Sequence, residues 1–121
     1  MSEQALIEFM EAADQLPGPL EHEEEKALIA FRISLLDEEY AEAVEALNWG
    51  DRRYIAKELA DLVYVAVGTA VALEIPFDDV FDAVHRANMS KFQDREVRED
   101  GKVLKGPGYQ DPAAEIEKLL R

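Results

Sequence analysis

The chain is 121 residues long, with 48% hydrophobic and 33% charged residues, and this length and composition predict a single domain over residues 1–121. The absence of cysteine excludes disulfides, thiol nucleophiles and cysteine-ligated metal sites. The net charge of −14 argues against nucleic acid and anionic membranes as partners, because binding either one needs a surplus of lysine and arginine.

The longest apolar run covers residues 62–73, which is shorter than the roughly 20 residues of a membrane-spanning helix. Near the N-terminus, Glu3 and Glu11 stand where a signal peptide has a basic start and an apolar middle. We therefore expect a soluble protein of the cytoplasm.

The spacing of apolar residues predicts an all-α protein, because it follows the period of a helix between glycine and proline breaks. Four main helices, and from them a four-helix bundle, are expected at about residues 2–14, 22–48, 51–74 and 77–91. Gly50 is placed to end the second helix, Asp51 to cap the third and Pro76 to open the fourth.

Beyond Lys91 the helical period is lost. Residues 92–110 are polar and rich in glycine, which predicts a long loop with a small hairpin at residues 99–102. A short terminal helix is expected at about residues 112–120. The glycines and charges of the loop suit a lid that moves, and they equally suit a fixed arm across a neighbouring subunit.

Two pairs of acidic residues lie on the apolar faces of the second and third helices. A step of about 100° per residue places Glu39 and Glu42 in the apolar stripe of the second helix. The same step places Glu58 and Asp61 in the stripe of the third. Each pair is spaced i, i+3, so its carboxylates lie about one turn apart. Two such helices packed face to face bring four carboxylates together.

Burying several like charges is costly unless a cation neutralises them. Clustered oxygen ligands favour a hard divalent cation such as Mg²⁺ or Mn²⁺. In the alternative, each acid reaches the surface and pairs with a nearby cation, for which Arg32, Lys57, Arg52 and Arg53 are candidates. Glu38 lies at the edge of the stripe, where a partly solvated carboxylate suits a general base.

The opposite face of the third helix is also apolar, through Val63, Tyr64, Val67 and Val71. A helix that is apolar all round must be buried all round, and a chain this small cannot easily surround one of its own helices. We therefore expect a homodimer that covers this face, with a dimer of dimers as an extension. The alternative is a crowded single-chain core.

The end of the fourth helix carries Asn88 and Lys91 on the same side as Phe81 and Val84. There an amide and a cation suit a nucleobase, a sugar or a phosphate. In the alternative, Asn88 and Lys91 cap the helix C-terminus and balance its dipole.

The acidic residues form an ordered motif, Glu38-Glu39-x-x-Glu42 and, after fifteen intervening residues, Glu58-x-x-Asp61. This motif resembles that of the all-α nucleoside triphosphate pyrophosphohydrolases, a superfamily of MazG-like enzymes, dimeric dUTPases and phosphoribosyl-ATP pyrophosphohydrolases. The similarity continues through residues 59–65, 84–91 and 100–105 and covers roughly residues 30–110.

The resemblance implies a dimerising helical bundle that binds Mg²⁺, with Mn²⁺ as a substitute, and hydrolyses a nucleoside triphosphate to monophosphate and pyrophosphate. It implies metal ligands at Glu39, Glu42, Glu58 and Asp61, and catalytic roles for Glu38 and Glu39. It implies nucleotide contacts from Asn88, Lys91, Lys105 and Arg95.

The expected substrate is dUTP, dCTP or a non-canonical nucleoside triphosphate, in keeping with nucleotide-pool house-cleaning. One alternative is a phosphoribosyl-ATP-type substrate. The other is a non-catalytic acidic helical dimer that acts as a binding or regulatory module.

Overall fold

A computed structural model describes residues 3–16, 18, 20–92 and 96–121, with Glu96 described by its backbone. These residues form five helices and one two-stranded hairpin, in the order α1 Glu3–Ala12, α2 His22–Trp49, α3 Arg52–Ala72, α4 Phe77–Ser90, β1 Glu96–Val97, β2 Val103–Leu104 and α5 Ala113–Leu119. The all-α prediction is confirmed, and each predicted helix is found with its ends within two residues of the expected bounds.

The chain divides into two compact units, Met1–Ile75 and Pro76–Arg121. The first unit holds α1, α2 and α3, and the second holds α4, the β-hairpin and α5. All of the acidic residues singled out above belong to the first unit.

The turn between α2 and α3 has the local chemistry that the sequence predicted. Gly50 ends α2 with φ of 89°, a left-handed conformation that favours glycine, and its N–H donates to the Ala46 carbonyl at 3.0 Å. One residue later, the Asp51 carboxylate caps α3 by accepting from the Arg53 N–H at 2.9 Å. The two long helices therefore form a helical hairpin.

The first unit is built around α3, which packs against both α2 and α1. Small and medium apolar side chains fill these contacts, and the fully or nearly fully buried ones are Leu6, Met10, Ala43, Ala46, Val67, Ala70 and Ala72. Gly68 allows the closest approach, since a Cβ at this position would lie 3.3 Å from Leu6 Cδ1 and 2.6 Å from Arg32 Nη2. The same packing brings acidic side chains of α2 and α3 close together.

In the second unit, the predicted hairpin is confirmed: β1 and β2 pair antiparallel with Val97 opposite Val103. Arg98 and Asp100 brace its turn, because the guanidinium donates to both carboxylate oxygens, at 2.9 and 2.5 Å. This pairing lowers the pKa of Asp100. An ion pair between Arg86 and Glu115 joins α4 to α5.

None of the helices in the described residues is, by itself, long and apolar enough to cross a membrane.

Candidate metal centre

Three carboxylates converge where α2 packs against α3. Glu39 comes from α2, and Glu58 and Asp61 come from successive turns of α3. Each offers an oxygen atom, and these oxygens all lie within 4.8 Å of one another. We call this group the acidic cluster. Three of the four carboxylates expected to converge therefore do so across the helical hairpin, and Glu42 is not among them.

The two glutamates of the acidic cluster are partly or fully removed from solvent, where an unpaired negative charge is costly. Glu58 is only 2% exposed, and Glu39 is half-buried. The Oε2 atoms of Glu39 and Glu58 are both fully buried and have no hydrogen-bond partner within the described part of the chain. A buried unpaired charge costs several kcal/mol unless something neutralises it. Two orphaned oxygens on carboxylates of one cluster fit a hard divalent cation, which prefers oxygen ligands.

Lys57 is the cation that pairs with the cluster. Its Nζ lies 2.8 Å from Asp61 Oδ2 and 3.3 Å from Glu58 Oε1, and these two carboxylates raise the pKa of Lys57. The lysine side chain is 66% exposed, so it approaches from the solvent side and its ion pairs are screened. The surface-pairing alternative is therefore realised for Asp61 and one Glu58 oxygen, while the two buried Oε2 atoms stay unpaired.

Glu42 lies beside the cluster on the exposed side of α2, although the sequence placed it inside the apolar stripe. The physical reason is that Ala43 and Ala46 take the buried positions, which leaves Glu42 at the edge. Its carboxyl still faces the cluster. A hydrogen bond with Glu58, together with the negative charge of Glu39, raises the pKa of Glu42. Glu38, the expected general base, is exposed.

A second charged layer lies two turns away along α2. Arg32 is 7% exposed, and it donates from Nε to Thr69 Oγ1 and from Nη2 to the Val65 carbonyl, both at 3.0 Å. Burial lowers the pKa of Arg32. Arg32 was among the cations expected to pair with the acids, but in the described residues its partners are neutral oxygens. Arg32 lies on the same face of α2 as Glu39 but seven residues before it, so two helical turns separate the guanidinium position from the acids.

The second unit holds the residues predicted to contact the nucleotide. Asn88 is exposed on α4. Lys91 and Lys105 both approach the Tyr109 ring, with Nζ at 5.8 and 5.0 Å from its centroid, a distance at which cation–π attraction operates. Arg95 lies outside the described residues. Tyr109 was not singled out from the sequence, because it stands in a loop with no helical or strand period.

Buried carboxylates with orphaned oxygens on a helical hairpin define an all-α protein with a candidate divalent-metal centre. The family model for phosphoribosyl-ATP pyrophosphohydrolase matches residues 7–88. The chain belongs to this family, which lies within the MazG-like superfamily of pyrophosphohydrolases. The matched region contains the whole acidic motif and ends at Asn88. No curated protein shows significant similarity to the chain.

Proposed function

We propose that this protein is a Mg²⁺-dependent pyrophosphohydrolase that cleaves a nucleoside triphosphate into monophosphate and pyrophosphate. The observation that carries the proposal is the acidic cluster, whose three carboxylates lie within 4.8 Å and include two buried oxygens without partners. Membership of a pyrophosphohydrolase family supports the reaction type.

Glu39, Glu58 and Asp61 would hold the metal, and Glu42 would add a fourth carboxylate beside them in its ionised form. Mg²⁺ neutralises phosphate charge and polarises the anhydride, and Mn²⁺, with the same oxygen preference, substitutes for it. The protein supplies the position of these ligands. Because α2 and α3 are locked in one hairpin, their carboxylates are held together before the metal binds.

Glu38 acts as the general base. It is exposed on α2, next to the metal ligand Glu39, and it accepts the proton of the attacking water. Hydrolysis adds that water across the anhydride between the α and β phosphates, so one phosphorus–oxygen bond forms and one breaks. In phosphoryl transfer, positioning and charge neutralisation matter more than covalent participation of the protein.

For Asn88, Lys91 and Lys105 we propose contacts to the nucleotide. The ammonium groups of the two lysines are held beside one tyrosine ring and have no carboxylate within ion-pair distance in the described residues, so they are available to anionic phosphates. Arg95 is proposed for the same role on the family resemblance.

A second candidate substrate is phosphoribosyl-ATP, which the matched family is named for. It carries the same triphosphate group and needs the same metal chemistry. The two candidates differ in the base and its substituents, so the acidic cluster by itself serves either one.

We further propose that the protein forms a homodimer through the apolar face of α3 and α1. This face carries an open groove of about 410 Å³ lined by Ala5, Leu6, Leu59, Ala60, Val63, Tyr64 and Val67. Val63 and Tyr64 are each 40% exposed, which is high for apolar residues in the middle of a central helix. A second copy of the chain would cover them.

Sedimentation of a Val63→Arg variant tests the dimer. We expect wild type to sediment as a dimer and Val63→Arg as a monomer. Ile33→Arg is the matched control, because Ile33 is also an exposed apolar residue but lies on α2 outside the groove. A monomeric wild type would overturn the proposal.

The experiment for the reaction measures pyrophosphate release from a panel of canonical, deoxy and modified nucleoside triphosphates and phosphoribosyl-ATP. Each is tested with Mg²⁺, with Mn²⁺ and with EDTA. We expect metal-dependent turnover of one or a few members, which Glu39→Gln and Asp61→Asn abolish. Glu45→Gln is the control, because Glu45 is an exposed acid of α2 outside the cluster.

Turnover of phosphoribosyl-ATP alone would replace the first candidate by the second. Silence across the panel, in a folded protein whose melting temperature rises with Mg²⁺ alone, would favour the non-catalytic alternative, in which the metal is structural.

A further inference from the structure

A cavity of about 280 Å³ lies between α1, α2 and α3, close to the range of pockets that hold small molecules. Its lining is almost entirely apolar. Three aromatic residues contribute to it, namely Phe9, Phe31 and Tyr64, and the polar groups among the lining residues include Gln15 and the buried Arg32.

The cavity begins one helical turn from the acidic cluster. Leu35 and Val65 line it, and they precede Glu39 and follow Asp61 by four residues on their respective helices. Residues four apart lie on the same face of a helix, about 6 Å apart along the axis. A ligand with its phosphates at the cluster can therefore place its other end in this cavity.

Arg32 lines the cavity, and its guanidinium is only partly hydrogen-bonded. Nε and Nη2 are bound to Thr69 and to the Val65 carbonyl, but Nη1 has no hydrogen-bond partner in the described part of the chain. A guanidinium donates and never accepts. A group that binds it must therefore present an oxygen or another acceptor.

We propose that this cavity is the base subsite of the substrate, and that Arg32 donates to a ring carbonyl oxygen of the base. This inference rests on the function proposed above. It predicts a preference for 6-oxo or 4-oxo bases over their amino counterparts, since an amino group at the same position presents a second donor to Arg32.

The surroundings favour a neutral planar ring over an anion. The existing partners of Arg32 are neutral oxygens, so its remaining N–H groups are in an environment already arranged for neutral acceptors. A second anion here would face the negative charge of the acidic cluster two turns away. Phe31 and Tyr64 both line the cavity, and aromatic side chains suit the flat apolar surface of a base.

The experiment compares matched substrates that differ in one group: ITP with ATP, and UTP with CTP. For the pair that is turned over, we expect kcat/KM to be about 10- to 100-fold higher for the oxo member, the effect of one hydrogen bond to a charged donor. Equal or reversed values in that pair would overturn the proposal.

Arg32→Met should bring the oxo-to-amino ratio toward one. A purely structural loss lowers both members alike and leaves the ratio unchanged, which would also overturn the assignment. If Arg32→Met does not fold, Gly68→Ala gives the same readout, because the new Cβ displaces Arg32 Nη2. Ile33→Ala, next to Arg32 in sequence but outside the cavity, should keep the wild-type ratio.

Binding of free nucleosides separates this proposal from the reaction. In EDTA, inosine should raise the melting temperature of wild type more than adenosine at the same concentration, and Arg32→Met should remove the difference. If the nucleosides bind this way but no pyrophosphate is released, the reaction fails and the subsite stands. If pyrophosphate is released without an oxo preference in turnover or binding, the reaction stands and the subsite fails.

Discussion

The interface between α2 and α3 contains two buried charged layers, and they differ in how fully their charged groups are hydrogen-bonded. In the cationic layer, Arg32 directs two nitrogens to protein oxygens at 3.0 Å. In the anionic layer, Glu39 and Glu58 each bury an oxygen that has no partner in the described residues. The same pair of helices thus provides hydrogen-bond partners for the buried cation but leaves buried carboxylate oxygens without them.

The difference indicates which layer contributes to folding and which is kept for a ligand. A buried charge with partners can be neutral or favourable for stability, whereas an incomplete cluster of like charges opposes folding. Such a cluster persists when a bound ion completes it. A substitution that removes a charge from the anionic layer should therefore raise stability and lower activity. A substitution that disturbs the cationic layer should lower both.

Glu58→Gln is the sharpest test of this contrast and has the largest expected effect. Losing a metal ligand should remove several kcal/mol of transition-state stabilisation, which is a fall of about a thousandfold in pyrophosphate release. Without metal, the same change should stabilise the fold by about 1 kcal/mol, because it removes a buried charge and adds a donor for Glu42 or Glu39. Assays with Mg²⁺ and urea unfolding in EDTA measure the two effects.

Glu45→Gln is the control for Glu58→Gln, and both of its effects should stay within about 0.5 kcal/mol. A Glu58→Gln protein that is less stable than wild type in EDTA would contradict the view that the anionic layer is strained without an ion.

A substitution that adds a methyl group next to the Arg32 guanidinium tests the cationic layer. Gly68→Ala places a Cβ 2.6 Å from Arg32 Nη2 and should destabilise the fold by about 1–3 kcal/mol. In an Arg32→Met background the cost should fall by at least about 0.5 kcal/mol, because the clashing group is gone. Urea unfolding of the four proteins in this double-mutant cycle gives the coupling.

Gly18→Ala is the comparison for Gly68→Ala, since a Cβ there meets nothing within 4 Å. An equal cost for Gly68→Ala with and without Arg32 would show that the guanidinium is not packed against α3 as described.

These two layers also separate what the sequence predicts from what it does not. The helices and the Gly50 and Asp51 boundary follow from local periodicity and capping, and the structure confirms them. Of the two acidic pairs, the structure brings together Glu39, Glu58 and Asp61. The partners of Arg32 do not follow, because a helical period gives the face of a residue but not which atoms it meets across the interface. Tyr109 was missed for a related reason: loop contacts have no period.

Glu42 lies in α2 as the sequence predicts, but it is exposed rather than inside the apolar stripe. The helical period placed both Glu39 and Glu42 inside the apolar stripe, but Ala43 and Ala46 take the buried positions and Glu42 stays at the exposed edge. The choice between neighbouring positions at the edge of a stripe depends on the packing of the facing helix, which the α2 sequence alone does not contain.

The pH dependence of the anionic layer is a smaller effect. The pKa of Glu42 is raised above its ordinary value near 4.5. The folded protein therefore binds this proton more tightly than the unfolded chain, and the resulting stability is fully present below the ordinary value and lost as pH rises through the raised one. Metal-free wild type should lose stability over that window relative to Glu42→Gln, as measured by urea midpoints in EDTA.

Mg²⁺ should reverse the slope, because metal binding requires the ionised Glu42 and so weakens as pH falls through the raised pKa. Parallel pH profiles for wild type and Glu42→Gln would show that Glu42 does not take part in the layer.

Lys57→Met has the smallest expected effect and bears on how the anionic layer is held before a metal binds. Lys57 pairs with Asp61 and Glu58 from the solvent side, so removing it should lower the metal-free stability slightly, and less so at high salt. The same lysine competes with a metal ion for these carboxylates. Its loss should therefore tighten Mg²⁺ binding by a few-fold, as followed by the rise in melting temperature with Mg²⁺ concentration. Weaker binding in Lys57→Met would instead assign the lysine to the bound state, where it holds Asp61 in position for the ion, and the anionic layer would then be completed by two cations rather than one.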